Sequence, residues 1–492
     1  MELVGLVRAR APAFGPRQIA DVSVALAQLE LAPDVHLLDL LATQCLHKLP
    51  EAGPEQIAAT LSGFAKVGYI PATPLLSAAA DAASAALARG PNGLSGRDMA
   101  ELMWALAKCE FRPPEALLQR VLAKFASSLA MLPGQRISQL LWAFAQFGAA
   151  PPPAVLSSIM QSATGALGTY PPDSMAQLLS ALRAFGCALA GGPLLRAAGA
   201  AALAGAGGFS GGALADLLEV FAACRYHPGV DLLHAAAQQM SAQLSSAEAS
   251  GAPPPLPARA AAGVVRSYAG LAFAPPAALL NQLQALLLPQ LPELDPSDVA
   301  SVLWGYQLFK SLSPALWNAA CDALAGAPNG GVPPQALVML FQVHLMVCKE
   351  ATCAAYETPP ALIVAARGHW TAHQGSAAML PPSDAARDVA RALNAMGVPH
   401  AAGVMGDDGL IALKLALPDR RIALEVLGPE AFCVNVVAPQ QQPQPLGETV
   451  MRIQMLAAYG WNPVTLPHYE WAALPSELAR QQHLRTVLGL SA

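Results

Sequence analysis

Along most of the chain, apolar residues fall on a helical stripe, and the stripe repeats. It is plainest at Met99–Leu118, M-A-E-L-M-W-A-L-A-K-C-E-F-R-P-P-E-A-L-L, which reads as a helix, a turn opened at Pro113-Pro114 and the start of a second helix. Take the apolar residue at the head of the first helix as position zero. Copies then start at Ile19, Ile57, Met99, Ile137, Met175, Leu214, Ala261, Val299 and Ala336, with steps of 38, 42, 38, 38, 39, 47, 38 and 37 residues. Positions zero, three, seven and ten form the apolar face of an amphipathic helix. Position six is mostly small (Ala25, Gly63, Ala105, Ala143, Ala181, Ser267, Gly305), which admits a neighbouring helix closely. Proline opens most second helices (Pro74, Pro113-Pro114, Pro193, Pro275-Pro276, Pro314), where its missing N–H costs nothing. A period of this size predicts a mainly α fold, an α-solenoid of helix-turn-helix units over residues 15–375.

Two insertions stretch the period. One lies around Gly90–Gly96; the other, Ser245–Pro257, is rich in Pro, Ser and Ala and reads as a flexible loop over 245–257. After Ala336 the pattern fades. Pro359–His373 can form one more helix, and Pro381-Pro382-Ser383 opens another that runs to Met396, so 376–409 reads as a linker helix and turn. Ile411–Leu417, Ile422–Leu427 and Cys433–Val437 are short apolar runs bounded by Gly, Pro and Asp, which predict strands. A helix over Gly447–Tyr459, a strand over Pro463–Leu466 and a helix over Pro475–Leu488 complete a small α/β domain, 410–492. Asp407 and Asp408, flanked by Gly, read as a hairpin turn.

Composition narrows the function. Formal net charge is −5, so no bulk field draws in polyanions, and any nucleic-acid contact must be local. No stretch long and apolar enough to span a bilayer is present. The eight cysteines lack metal-binding pairs, and Cys109 and Cys224 occupy position ten as small hydrophobes. No cofactor or metal site is expected: His369 and His373 stand one helical turn apart without a third ligand, and no phosphate-cradling glycine loop occurs. The segment before Ile19 is shorter and poorer in Ser and basic residues than a transit peptide, so either none is present or the chain lacks its natural start.

The units, with L-L-W-A-F-A-Q-F-G (140–148) and P-P-E-A-L-L (113–118), resemble octotricopeptide repeats, the RNA-binding solenoids of green algal organelles. The tail resembles a RAP domain, the RNA-associated module that closes many such proteins and their mitochondrial FAST-kinase-like relatives. The matching residues are I-A-L-E-V-L-G-P-E-A-F (422–432), L-G-E-T-V-M-R-I-Q-M-L-A-A-Y-G-W (446–461) and L-P-H-Y-E-W (466–471), with Glu425, Gly428, Pro429, Gly460, Trp461, Pro467, Glu470 and Trp471 as the motif. The resemblance implies a restriction-endonuclease-like tail, an organellar location in the chloroplast or alternatively the mitochondrion, and single-stranded RNA as partner. RNA-processing or ribosome-associated proteins are further candidate partners. The implied role is to support the stability, processing or translation of organellar mRNA or rRNA.

Candidate contacts follow from the face opposite the stripe, where positions two, five and nine vary. Gln139, Gln177 and Ser301 at position two can touch base edges; Trp104, Trp142 and Trp304 at position five can stack on bases or pack between units; Lys66 and Lys108 at position nine can meet phosphate. Two-carboxylate metal chemistry in the tail needs acids that Lys414 and Leu427 replace, so the tail is expected to be catalytically silent, with Lys414 paired to Glu425 across adjacent strands. A protein–protein scaffold and an RNA endonuclease are the competing readings.

Overall fold

The computed structural model describes residues 2–29, 35–90, 93–327, 331–349, 353–406, 409–435 and 442–490. They fall into two compact units, Met1–Ala202 and Leu203–Ala492. In the first, α1 (Glu2–Arg10) precedes alternating first helices, α2 (Pro16–Gln28), α4 (Pro54–Lys66), α6 (Gly96–Lys108), α8 (Gly134–Phe147) and α10 (Pro172–Ala184), and second helices, α3 (Val35–Lys48), α5 (Thr73–Ala88), α7 (Glu115–Ser128), α9 (Pro153–Ala166) and α11 (Pro193–Ala204). The second unit continues with first helices α12 (Gly211–Ala223), α14 (Ala258–Gly270), α16 (Pro296–Leu308) and α18 (Pro334–Val347), and second helices α13 (Val230–Ser250), α15 (Ala277–Leu287) and α17 (Pro314–Ala325), before α19 (Pro360–Met379). Each unit is thus a solenoid-like stack, its first helices packed side by side in sequence order.

The residue at position six explains the tightness of that layer. A Cβ on Gly63 would lie 2.6 Å from the Ser23 backbone, and one on Gly305 would lie 2.6 Å from Val265 Cγ1. Ser23 and Val265 both hold position four of the preceding repeat, so the same register recurs in both units. The stripe behind it is buried: Leu140, Phe144, Leu178, Leu182, Val264 and Tyr268 are fully enclosed. Position-seven tyrosines tie the layers together, Tyr268 donating to the Leu233 carbonyl (2.8 Å) and Tyr306 to that of Leu280 (2.6 Å), each on the fourth residue of a second helix.

Position eleven ends the first helices in the left-handed conformation: Gly68, Glu110, Gly148, Gly186, Arg225, Ala272 and Lys310 all have positive φ. The next N–H then reaches back to the position-seven carbonyl, as from Tyr69 to Phe64, Phe111 to Leu106, Ala149 to Phe144 and Phe273 to Tyr268. This is the Schellman cap, which satisfies carbonyls a helix end otherwise leaves bare.

Ser245–Pro257 departs from the expected flexible loop. Ser245–Ser250 extends α13, Ser245 accepts a hydrogen bond from Gln282 Nε2 (2.8 Å), and Leu256 is fully buried. Only Gly251–Pro257 connects, because Gly251 at φ +66° closes the helix.

The C-terminal part of the second unit places α20 (Asp384–Ala395) before a four-stranded sheet in the order β1 (Ala401–Met405), β2 (Ala412–Leu417), β3 (Ile422–Leu427), β4 (Asn462–Pro467). The first two pairings are antiparallel; β3 and β4 run parallel, Glu425 opposite Thr465, joined by the crossover helix α21 (Gly447–Ala458). One face buries Leu415, Leu417, Ile422, Leu424 and Leu466 against Val389 and Leu393 of α20, Trp471 of α22 (His468–Ala473), and Leu484 and Leu488 at α23 (Glu477–Val487). Three expectations change here. Strand β1 is additional, Cys433–Asn435 is a bend rather than a strand, and α22 is an extra short helix. Val436, Val437, Asp407 and Asp408 lie outside the described residues.

Candidate RNA interface and the C-terminal domain

In the first unit the variable positions of α6 and α8 converge. Lys108 is exposed at the end of α6, and its ammonium lies 4.8 Å from the Trp142 ring centre and 5.9 Å from that of Trp104. Both distances fall within cation–π range. Trp142 is half-buried; Trp104 is 9% exposed, and its indole N–H is buried without a hydrogen-bond acceptor. One turn toward the helix starts, Glu101 accepts from Arg97 Nε (3.1 Å) and from Arg136 (2.9 Å), while Arg136 Nη1 donates to Gln139 Oε1 at 2.8 Å. The carboxylate thereby holds two guanidinium groups on one face, and Gln139 keeps its amide N–H groups for another partner.

The remaining candidates are placed differently. Lys66 is exposed on α4 and Gln177 half-buried on α10. Ser301 is 7% exposed, its hydroxyl bonded back to the Ser297 carbonyl (2.7 Å). Trp304 is also enclosed, its indole N–H donating to Gln342 (2.9 Å) and its ring lying against Gly447. Positions two and five are therefore mostly half-buried rather than fully outward, because side-by-side first helices flank them. Position nine is exposed at Gln28, Lys66, Lys108 and Gln146 and buried at Leu308 and Leu345. Cys109 is buried, which pushes its thiol up to about 11, while Cys224 is half-buried.

The C-terminal domain is built around an ion pair, Glu425 with Arg452, whose arginine is not among the motif residues. Glu425, 4% exposed on β3, is held by Arg452 of α21 through two hydrogen bonds of 2.8 and 2.9 Å, and the same guanidinium donates to the Ala412 carbonyl. The expected Lys414–Glu425 pair does not form: Lys414 is exposed, and a bidentate arginine satisfies a buried carboxylate better than a lysine. A lone acid on a buried strand face was the available signal, since it demands a cation nearby. Trp471 packs in the core, Trp461 lies under Arg421 (5.4 Å), Glu470 accepts from Gln442, and Gly460 closes α21 at φ +79°. Gly428 and Pro429 open the short turn after β3, and Pro467 ends β4.

This domain docks on the ends of the first helices in its own unit. Val434 N–H donates to the Arg225 carbonyl (2.7 Å), and Arg225 itself donates to the Glu430 carbonyl. Asn435 pairs both ways with the His227 backbone, Gln454 donates to Leu308 O, and Tyr459 donates to Leu345 O while Lys349 lies over its ring. Cys433–Asn435 is thus a docking bend.

Residues 424–487 match the family model of the RAP domain, so the C-terminal domain is a RAP domain. A RAP domain-containing protein, chloroplastic, from Oryza sativa subsp. japonica is 38% identical over 76 residues, 15% of this chain. The chain spans 11% of that relative's length. No helix among the described residues is long and apolar enough to cross a membrane.

Proposed function

We propose that this chain is an organellar RNA-binding protein that occupies single-stranded RNA, and that its units are octotricopeptide-type repeats closed by a RAP domain of the kind found in FAST-kinase-like proteins. The observation that carries the reading is the Lys108–Trp104–Trp142 cluster beside the Arg97–Glu101–Arg136–Gln139 network. Aromatic faces for stacking, cations for phosphate and an amide for base edges lie together on one face. The RAP domain, a module associated with RNA binding, and its chloroplastic relative support the same reading and favour the chloroplast over the mitochondrion. The role we infer is to protect, process or license translation of a transcript.

We also propose that the RAP domain performs no catalysis. Its acid Glu425 is engaged on both oxygens by Arg452, which leaves it poorly placed to bind a nucleophilic water or a metal. Incubating the protein with single-stranded RNA and Mg²⁺ or Mn²⁺, beside a Glu425→Gln variant, should leave the RNA intact in both. Cleavage by the wild type alone would make the domain an endonuclease.

The binding test is an anisotropy titration of labelled single-stranded RNA over a salt series. Affinity should fall as salt rises, and Lys108→Gln should flatten that dependence. Trp142→Ala should weaken binding by about 1–3 kcal/mol if a base stacks there. Absence of salt-sensitive binding would favour a protein scaffold.

A further inference from the structure

An arginine sets the sense of one amide on the varying face. Gln139, at position two of the α8 repeat, is half-buried, and its Oε1 accepts from Arg136 Nη1 at 2.8 Å. A guanidinium has only donors, so the atom turned toward it is the amide oxygen and the nitrogen points away. Among the described residues nothing accepts from the Gln139 amide N–H groups. Arg136 cannot swing off easily: Glu101 of α6 takes its other Nη at 2.9 Å, and its side chain is only 16% exposed.

This arrangement belongs to one repeat. Arg136 holds position minus one, three residues before Gln139 and so on the same side of the helix. The other eight repeats carry Gln, Asp, Ser or Ala there, and Gln177, at position two of the next repeat, follows Ser174 instead. A glutamine with both ends of its amide available reads adenine, the oxygen accepting from the N6 amino group and the nitrogen donating to N7. At Gln139 the oxygen is held, and an amino group brought to it meets the guanidinium, donor against donor. The N4 amino group of cytosine meets the same obstacle. A carbonyl oxygen, O6 of guanine or O4 of uracil, accepts from the Gln139 N–H and lies beside a positive charge. Trp142, one turn further along α8, offers that base a ring to stack on.

We propose that the α8 repeat selects a keto base, guanine or uracil, over an amino base, adenine or cytosine. Gln139 donates to O6 or O4, and Arg136 is the positioning residue that locks the amide in that sense. The proposal rests on the single-stranded RNA reading above. The test uses full-length protein and labelled 20-mers of cytidine carrying one inosine, one adenosine or one uridine walked along the strand, or none. Inosine and adenosine both stack as purines, and they differ at the 6-position, a carbonyl beside N1–H in one and an amino group in the other. At one register inosine should bind about tenfold more tightly than adenosine, and uridine more tightly than cytidine. Gln139→Leu should bring inosine down to adenosine there. Arg136→Met should bring adenosine up toward inosine, because the released amide oxygen can then accept from N6, a gain that loss of a merely structural contact does not produce. Equal binding of inosine and adenosine at every register, or a preference that survives Gln139→Leu, would overturn the selectivity and leave RNA binding standing. An Arg136→Met protein that weakens on all strands alike would overturn the positioning role. Absence of salt-sensitive binding to any strand would overturn both the selectivity and the RNA reading.

Discussion

The Glu425–Arg452 pair shows what a single buried charge requires. With its carboxylate sealed on a sheet face, Glu425 depends on one guanidinium from α21. Removing one partner of such a pair typically costs about 3–5 kcal/mol, since the other charge stays buried. Arg452→Leu should destabilise the C-terminal domain by that order in a urea melt, and adding Glu425→Gln should restore much of it. The left-handed position eleven makes the opposite case. Ala272 sits at φ +53°, where a side chain costs roughly 1 kcal/mol relative to glycine. Ala272→Gly should therefore raise stability by about that amount in a urea melt. Neither feature was fully legible in the sequence. Glycine marks position eleven at Gly68, Gly148 and Gly186, but Glu110, Arg225, Ala272 and Lys310 hide it in the other repeats, because the cap's hydrogen bonds outweigh the local strain.

Among the elements, the repeated helices were legible in the sequence because their cue is a period, reinforced nine times over. The stripe predicts which side chains matter. Phe144→Ala should cost about 3–5 kcal/mol, and Gln139→Ala, half-buried on the varying face, well under that. Equal thermal shifts for the two would mean the helix face had been inverted. Isolated elements were harder. Strand β1 is Ala401-Ala402-Gly403-Val404-Met405, with a single β-branched residue, and is made a strand by pairing with β2 rather than by its own propensity. The extension of α13 escaped notice for a related reason: Ser, Ala and Glu carry no stripe, and the ordering contact comes from Gln282 on α15. The candidate site was legible in kind, since Trp104, Trp142 and Lys108 do meet. Its selection among repeats was not, because burial of Trp304 depends on a helix about 140 residues further on, packed where only glycine fits.

At the scale of the second unit, that glycine is the test of docking. A Cβ on Gly447 would fall 1.9 Å from the Ala269 carbonyl oxygen. Gly447→Ala should push α21 off α14 and speed exchange of the Val434 amide, whose acceptor is Arg225 O. A second control is pH. His227 is buried at the docking bend, and its Nδ1 accepts from the Gly229 N–H; burial lowers its pKa from the ordinary 6.5. The unfolded imidazole then takes up a proton first, so stability present above about pH 6.5 is lost as pH falls through the lowered value. Urea melts at pH 7.5 and 5.5 should show this loss, and His227→Gln should reduce it. What the RAP domain grips, however, is chiefly main chain: the carbonyls of Arg225, His227, Leu308 and Leu345. Those atoms are the same whatever side chains the repeats carry. The repeats' side chains can therefore drift without removing the acceptors on which the domain is seated, save at position five of α16, where Trp304 packs against Gly447 and ties that one side chain to the architecture.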